Sequence, residues 1–461
     1  MKTPIADFCS AYAERDVARL HMPGHKGQGP LSVEALDLTE IPGADSLYEA
    51  DGIIAESEAN AASLFGARAT FYSAGGSSQS IKAMCLLACR HWALHHANTP
   101  TILAGRNAHK SFVQAAQLIG FDVAWMASEE SFSLCRCTIS PDGLEMQLEN
   151  LLSEGIPVAA VFVTSPDYLG NVLDIQGLAD VAHRFGVPLL VDNAHGAYLK
   201  FLSEDRHPMT LGADACADSA HKTLPVLTGG GYLHIGANAP EGFEETARDA
   251  MCLFGSTSPS YLILQSLDLA NDWLEKTAPA AFAETVERVE ALKAELTGEG
   301  VILMGEEPLK LTVDCNASGV GPGTVLAERL LDFGVVCEYA DRDAVVLMFS
   351  PQNKDADYDK VQIAFHMLMF ALRTAGAGGT TTSPVNSAGS RLPDVFCAPR
   401  DVLLKATETI AVKDAEGRVA ADVRVSCPPA ILPVVPGETV DHHAIDVLKY
   451  YGIKEITVLK A

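Results

Sequence analysis

Short, wholly apolar runs alternate along this chain with longer stretches whose apolar residues recur every three or four positions. Thr101-Ile102-Leu103-Ala104-Gly105, Phe121 to Met126, Val158 to Val163 and Val187-Pro188-Leu189-Leu190-Val191 are of the first kind, the mark of strands covered on both faces. Ala69-Thr70-Phe71-Tyr72 reads as a further strand. The helical stretches are Glu56 to Phe65, about Gln79 to Ala93, a segment ending near Gly120, and Leu178 to Phe185. A Pro141-Asp142-Gly143 turn and a helix are expected between Met126 and Val158. Strands and helices in this alternation predict an α/β fold with a mostly parallel sheet and right-handed crossovers.

Beyond residue 255 the pattern changes. Ser256-Thr257-Ser258-Pro259-Ser260-Tyr261 opens a helix, Leu262 to Leu269, expected to continue into the charged helical run Phe282 to Leu296. Residues 300 to 372 alternate short strands with helices. Gly376-Ala377-Gly378-Gly379-Thr380-Thr381-Thr382-Ser383-Pro384 has the composition of a linker. These divisions predict an N-terminal segment 1–39, a large domain 40–270, a small domain 271–375, a linker 376–391 and a C-terminal α/β module 392–461.

Composition narrows the classes of function. The 461 residues are 48% hydrophobic and 20% charged, as in an ordinary enzyme of two or three domains. A net charge of −26 argues against a nucleic-acid or anionic membrane partner. No run approaches twenty uninterrupted apolar residues, and Met1-Lys2-Thr3-Pro4 lacks a signal-peptide core, so a cytoplasmic protein is expected. Eleven cysteines without a Cys-X-X-Cys pair point to reduced thiols and no structural metal.

Two strand ends carry the chemistry. The run ending at Val191 is followed by Asp192-Asn193-Ala194-His195-Gly196. About thirty residues later come Ser219-Ala220-His221-Lys222-Thr223 and the triple glycine Gly229-Gly230-Gly231. In open α/β sheets ligands bind beyond the carboxyl ends of the strands, where Asp192 would stand. A lysine in a polar, small-residue turn becomes a nucleophile once its ammonium loses a proton. A lysine for the aldehyde carbon and a carboxylate for the pyridine nitrogen are the two grips that pyridoxal 5′-phosphate (PLP) requires. The alternatives are a solvated Lys222 and an Asp192 that caps the next helix.

Weaker signals surround this pair. Ser73-Ala74-Gly75-Gly76-Ser77-Ser78 leads from a strand into a helix and could cradle a phosphate at the helix N-terminus. His109, at a strand-to-helix corner, could lie flat on a cofactor ring or simply cap the helix. His21-Met22-Pro23-Gly24-His25-Lys26-Gly27 is either anion-binding or a packing loop. Glu338, Asp341 and Asp343 form an acidic cluster that also fits a solvated strand end.

Taken together, His21 to Lys26, Arg106-Asn107-Ala108-His109-Lys110-Ser111, Asp192 to Gly196, Ser219 to Leu224, Ser256 to Tyr261 and the tail Pro428 to Glu438 resemble the short form of the PLP-dependent ornithine/lysine/arginine decarboxylase family. The motifs span nearly the whole chain in order. The resemblance implies an aspartate-aminotransferase-type fold, with Lys222 bound to PLP, Asp192 on the pyridinium, His109 stacked on one ring face and Ala194 on the other. It also implies His195 beside Asp192, phosphate contacts from Gly76, Ser77, Ser78, Ser219 and His221, and a homodimer in which Ser256 and Thr257 serve the neighbouring subunit's site. Lys222 or His221 would return a proton to the α-carbon. A basic amino-acid substrate needs a carboxylate at its far end, for which Glu338, Asp341 and Asp45 are the candidates. Asn193 departs from a common glutamate, Gly75-Gly76-Ser77-Ser78 from Asn-Gly-Thr-Ser, Asp167 from a usual threonine, and Cys427-Pro428-Pro429-Ala430 from Tyr-Pro-Pro-Gly. The expected reaction is decarboxylation of arginine, lysine or ornithine. Another PLP reaction, such as transamination or elimination, and a non-catalytic PLP-binding or regulatory protein are the rivals.

Overall fold

The computed structural model describes residues 1–128, 133–375, 392–425 and 429–460. The predicted linker 376–391 and the Cys427-Pro428 dipeptide lie outside the described residues. In chain order the elements are α1 (Pro4–Ala13), α2 (Ile53–Phe65), β1 (Ala69–Ser73), α3 (Gly76–His95), β2 (Thr101–Gly105), α4 (Lys110–Ile119), β3 (Asp122–Met126), α5 (Pro141–Ser153), β4 (Val158–Thr164), α6 (Ile175–Arg184), β5 (Leu189–Asp192) and β6 (Ala215–Asp218). There follow α7 (Ala220–Thr223), β7 (Gly231–Ile235), α8 (Phe243–Phe254), α9 (Tyr261–Lys276), α10 (Ala278–Gly298), β8 (Leu303–Met304), β9 (Lys310–Asp314), α11 (Gly323–Asp332), β10 (Tyr339–Ala340), β11 (Ala344–Met348) and α12 (Asp355–Ala375). The C-terminal elements are α13 (Pro399–Leu403), β12 (Thr407–Ala411), β13 (Ala420–Asp422), α14 (His442–Tyr450) and β14 (Glu455–Leu459).

Two compact units divide the chain, one of Met1–Leu103, Leu144–Ser165 and Asp174–Ala280, the other of Ala104–Gly143, Pro166–Leu173 and Ala281–Ala461. In the first, strands lie in the order β1-β7-β6-β5-β4. β4, β5 and β6 pair in parallel, β7 is antiparallel to both β6 and β1, and so only β7 runs against the other four. The apolar runs β4 and β5 are buried along nearly their whole length, as two-sided coverage demands. α6 shows how the crossover is built. Asp174 accepts from Gly177 N at 2.9 Å to start it, and Ile175, Leu178 and Val181 turn inward while Arg184 ends it in solvent. Each such buried aliphatic side chain contributes about 2 kcal/mol.

The second unit holds two antiparallel sheets, β10-β11-β9-β8 and β12-β14-β13. Leu292, Leu311, Val313, Leu330, Val345 and Phe365 belong to the core of the first of these.

Three expectations need correcting. Pro141 is not in a free turn but begins α5, where its missing N–H costs nothing. The helix from Tyr261 does not run on to Leu296: α9 ends at Lys276 and α10 starts at Ala278, so a boundary at 270 would cut α9. Residues 104–143 and 166–173 group with the C-terminal half, because Arg106 makes a buried ion pair with Glu438 at 2.9 Å and Lys110 N donates to Ala430 O at 2.8 Å. The His21 to Gly27 segment packs on α1, with His21 Nε2 2.7 Å from Tyr12 Oη.

Candidate active site

The carboxyl ends of β5 and β6 bring Asp192 and Lys222 into one neighbourhood although they are thirty residues apart. Asp192 closes β5, paired with Ala217 of β6. Ser219 leaves β6 and α7 follows at once, so Lys222 rides on a single helical turn. Lys222 Nζ stands 2.9 Å from His195 Nε2. The imidazole can therefore take a hydrogen from the amine, the step that frees its lone pair.

Asp192 is only 2% exposed, and burial pushes its carboxyl up to about 6 against the opposing pull of the Lys222 cation. Oδ1 accepts from Ala194 N at 3.2 Å, the one hydrogen bond to this carboxylate among the described residues. A buried acceptor so sparsely bonded is incomplete. A cationic ring N–H is the partner that would complete it, so Asp192 fits the pyridinium end of PLP.

The other end of the site is assembled from distant segments. α3 starts at Gly76, whose φ of +66° is left-handed and therefore suits glycine. Gly76 N donates to Gly229 O at 2.7 Å. A Cβ on Gly76 would lie 3.6 Å from His221 Cε1, so that imidazole covers the turn. His221 donates from Nδ1 to Gly230 O at 2.8 Å, which fixes the ring. Ser219 Oγ donates to Ser77 Oγ at 2.8 Å and ties the lysine turn to the start of α3. Gly231 explains part of the triple glycine, since a Cβ there would sit 2.6 Å from Asp218 O. Hydroxyls beside the positive end of a twenty-residue helix fit a phosphate.

The remaining predicted residues are placed as follows. Ser78 lies in the first turn of α3, half-buried. Ser256 and Thr257 are exposed between α8 and α9, with Ser256 Oγ accepting from Ser258 N at 3.1 Å. Asp45 does not offer a free carboxylate: its oxygens accept from Ser46 N, Asp51 N, Gly52 N, Ile54 N and Ala55 N, and it serves as the cap of α2 that Gly52 cannot be. In the second unit, His109 caps α4, accepting from Ser111 N at 3.1 Å. Asp341 accepts from Tyr339 Oη, Asp343 N and Ala344 N and shapes the β10–β11 turn. It also lines a cavity of about 890 Å³ with Tyr339, Arg342, Arg424 and Tyr450. Glu338 is exposed and accepts from Tyr168 Oη at 2.5 Å. Asp167 turns its carboxylate onto its own loop, accepting from Leu169 N, Asn171 N and Asn171 Nδ2. Ala430, where the resemblance has glycine, sits at a φ of +55°.

One group escaped the sequence reading. Asp218, fully buried at the end of β6, accepts from Asn193 Nδ2 at 2.7 Å and His207 Nε2 at 3.0 Å, with His234 Nε2 at 3.3 Å. Its place directly before the Ser219 motif was the available signal.

The mostly parallel sheet, with a lysine and a carboxylate near adjacent strand ends, is an α/β enzyme scaffold whose strand-end groups fit PLP. Residues 3–311 match the Orn/Lys/Arg decarboxylase major domain and residues 392–457 the C-terminal domain of the same family. The chain belongs to the Orn/Lys/Arg decarboxylase family, and it is a decarboxylase of that PLP-dependent group. It is 28% identical to an arginine decarboxylase of Bacillus subtilis over 96% of this chain and 92% of the relative. An arginine decarboxylase of Bacillus cereus is 27% identical over 95% of this chain and 96% of its own length. The solved lysine decarboxylase LdcF of Francisella novicida superposes with a TM-score of 0.78 at 16% identity, covering 99% of this chain and 81% of that one, and shares the fold.

Proposed function

We propose that this chain uses PLP, held between Lys222 and Asp192, to decarboxylate a basic L-amino acid, with arginine as its first substrate. The observation that carries the reading is the pair of grips on adjacent strand ends: an amine 2.9 Å from an imidazole, and a buried carboxylate with one backbone bond. Arginine comes first among the three basic amino acids because the similar full-length relatives bear that activity in their names.

Bound PLP supplies an electron sink for the pair left behind when the α-carboxylate departs as carbon dioxide. The chain does the rest. Asp192, ionised, would pair with the ring nitrogen and hold a proton there. Gly76, Ser77, Ser219 and His221 would hold the phosphate. His195 Nε2 takes a hydrogen from Lys222 Nζ, and Lys222 Nζ later delivers a proton to the α-carbon. His221 is the less suitable donor because its Nδ1 is anchored on Gly230 O. His109 as a ring-stacking residue, and a cytoplasmic homodimer with Ser256 and Thr257 reaching the partner's site, belong to the same reading. Among the described residues no helix is long and apolar enough to cross a membrane.

The test offers arginine, lysine and ornithine separately to PLP-loaded protein and identifies the product amine by mass. Carbon dioxide with agmatine from arginine is the expected result. Turnover of lysine or ornithine alone corrects the substrate. PLP uptake with no amine from any of the three overturns the enzymatic reading in favour of a PLP-binding protein.

A further inference from the structure

We propose that Asp218, clasped by Asn193 and His207, is a positioning residue that fixes the turn carrying Lys222 against the strand end carrying Asp192. The inference rests on the proposed function, since it presumes that these two side chains grip one cofactor. No contact between Asp218 and substrate or cofactor is required.

The clasp joins elements that nothing local would hold in register. Asn193 directly follows Asp192; its N–H donates to Ala217 O at 3.0 Å and its Nδ2 to Asp218 Oδ1 at 2.7 Å. Asp218 directly precedes Ser219, three residues before Lys222. On the other side, Oδ2 accepts from His207 Nε2, and His234 of β7 stands behind it with its Nδ1 2.8 Å from Thr70 Oγ1. Asn193, His207, Asp218 and His234 are all fully buried. A rigid ring gripped at both ends tolerates little slip, and a misplacement of about 1 Å can cost about a hundredfold in rate.

Charge explains the choice of residues. Burial alone would favour the neutral acid, but His207 and His234 outweigh it and hold Asp218 well below the usual carboxylate range. The resemblance puts a glutamate directly after Asp192; here that position is Asn193, and an acid stands across from it on the next strand. One buried carboxylate is thus kept, and a second is avoided. His207, Cys216 and Asp218 bring possible metal ligands within 4.8 Å of one another. His207 Nε2 and the Asp218 carboxylate are, however, already spent on each other at 3.0 Å, and Cys216 keeps its thiol hydrogen on Asp218 Oδ1 at 3.2 Å.

The test uses the full chain and three variants: Asn193→Ala, Asn193→Asp, and the exchange Asn193→Asp with Asp218→Asn. PLP affinity is read by absorbance titration at about pH 6 and about pH 8.5, with kcat for the substrate and melting of the PLP-free protein alongside. Asn193→Ala should weaken PLP binding and lower kcat, each about tenfold. Asn193→Asp sets two carboxylates face to face that can share one proton, so its PLP affinity should fall by about a further tenfold as pH rises and that proton leaves. The titratable groups facing the pair are His207, His234, Cys216 on β6, Asp192 on β5 and Tyr232 on β7. The exchange restores one donor and one acceptor. It should return affinity and kcat to within about threefold of wild type and remove the added pH dependence. A merely structural role would change the melting temperature without that pH signature. Asn193→Asp equal to wild type at both pH values, or an exchange no better than Asn193→Asp alone, overturns the clasp. If Asn193→Asp does not fold, the comparison of Asn193→Ala with the exchange decides by the same criterion. Wild type that takes up no PLP overturns the proposed function instead.

Discussion

Four buried aspartates in this protein look alike until their bonds are traced. Asp192, at a strand end, holds one backbone N–H, whereas Asp45, Asp167 and Asp341, in turns, hold three or more donors each. Proton affinity does not separate them: burial pushes both Asp192 and Asp167 up to about 6. Bonding does. A carboxylate saturated by its own loop is structural, while one left incomplete in a polar neighbourhood awaits a partner.

The sharpest way to break this contrast is Lys222→Ala. Turnover should fall by roughly three powers of ten or more, and the yellow absorbance of lysine-bound PLP should vanish from the spectrum. Retained absorbance would move the site elsewhere.

Next comes Asp192→Asn, which keeps the shape and removes the charge. A loss of about a hundredfold in kcat/KM is expected, equivalent to about 3 kcal/mol of charge-assisted bonding. The pH dependence of PLP binding sharpens the point. Ionised Asp192 binds the cationic ring, so affinity should rise with pH through about 6 and level off above it, and Asp192→Asn should flatten that rise. Stability of the PLP-free protein should move the other way. The folded state holds this proton more tightly than the unfolded chain does, so stability falls as pH rises from about 4 to about 6 and then levels. Melting curves across that window measure it.

On the saturated side, Asp45→Ala should lower unfolding free energy by about 1–2 kcal/mol through loss of the α2 cap, with kcat changed little. A collapse of kcat with an unchanged melting temperature would return Asp45 to the substrate site. Smallest is Ala430→Gly. Relief of a left-handed alanine is worth about 1 kcal/mol, offset in part by unfolded-state entropy, so a rise of a few degrees or less in melting temperature is expected.

Much of the candidate site is legible in one dimension. Asp192, His195, Ser219, His221 and Lys222 stand in two short motifs at strand ends, and a strand end is a local pattern: apolar residues, then a sharp change to small polar ones. The helix starts were harder. Pro141-Asp142-Gly143 has a turn's composition, yet proline is equally at home in the first turn of a helix. The junction at Thr277 is announced only by Pro279, in the first turn of α10, where proline starts a helix as readily as it breaks one.

The chain alone therefore determined the α/β alternation, the two strand ends and the chemical character of the groups upon them, because periodicity and residue type act over a few neighbours. Tertiary structure decided which acids are saturated and which are not. It also joined Ser77 to Ser219 across 142 residues and gathered Asn193, His207 and His234 around Asp218. Hydrogen-bond completion is a property of three-dimensional neighbours, and no spacing along the chain encodes it.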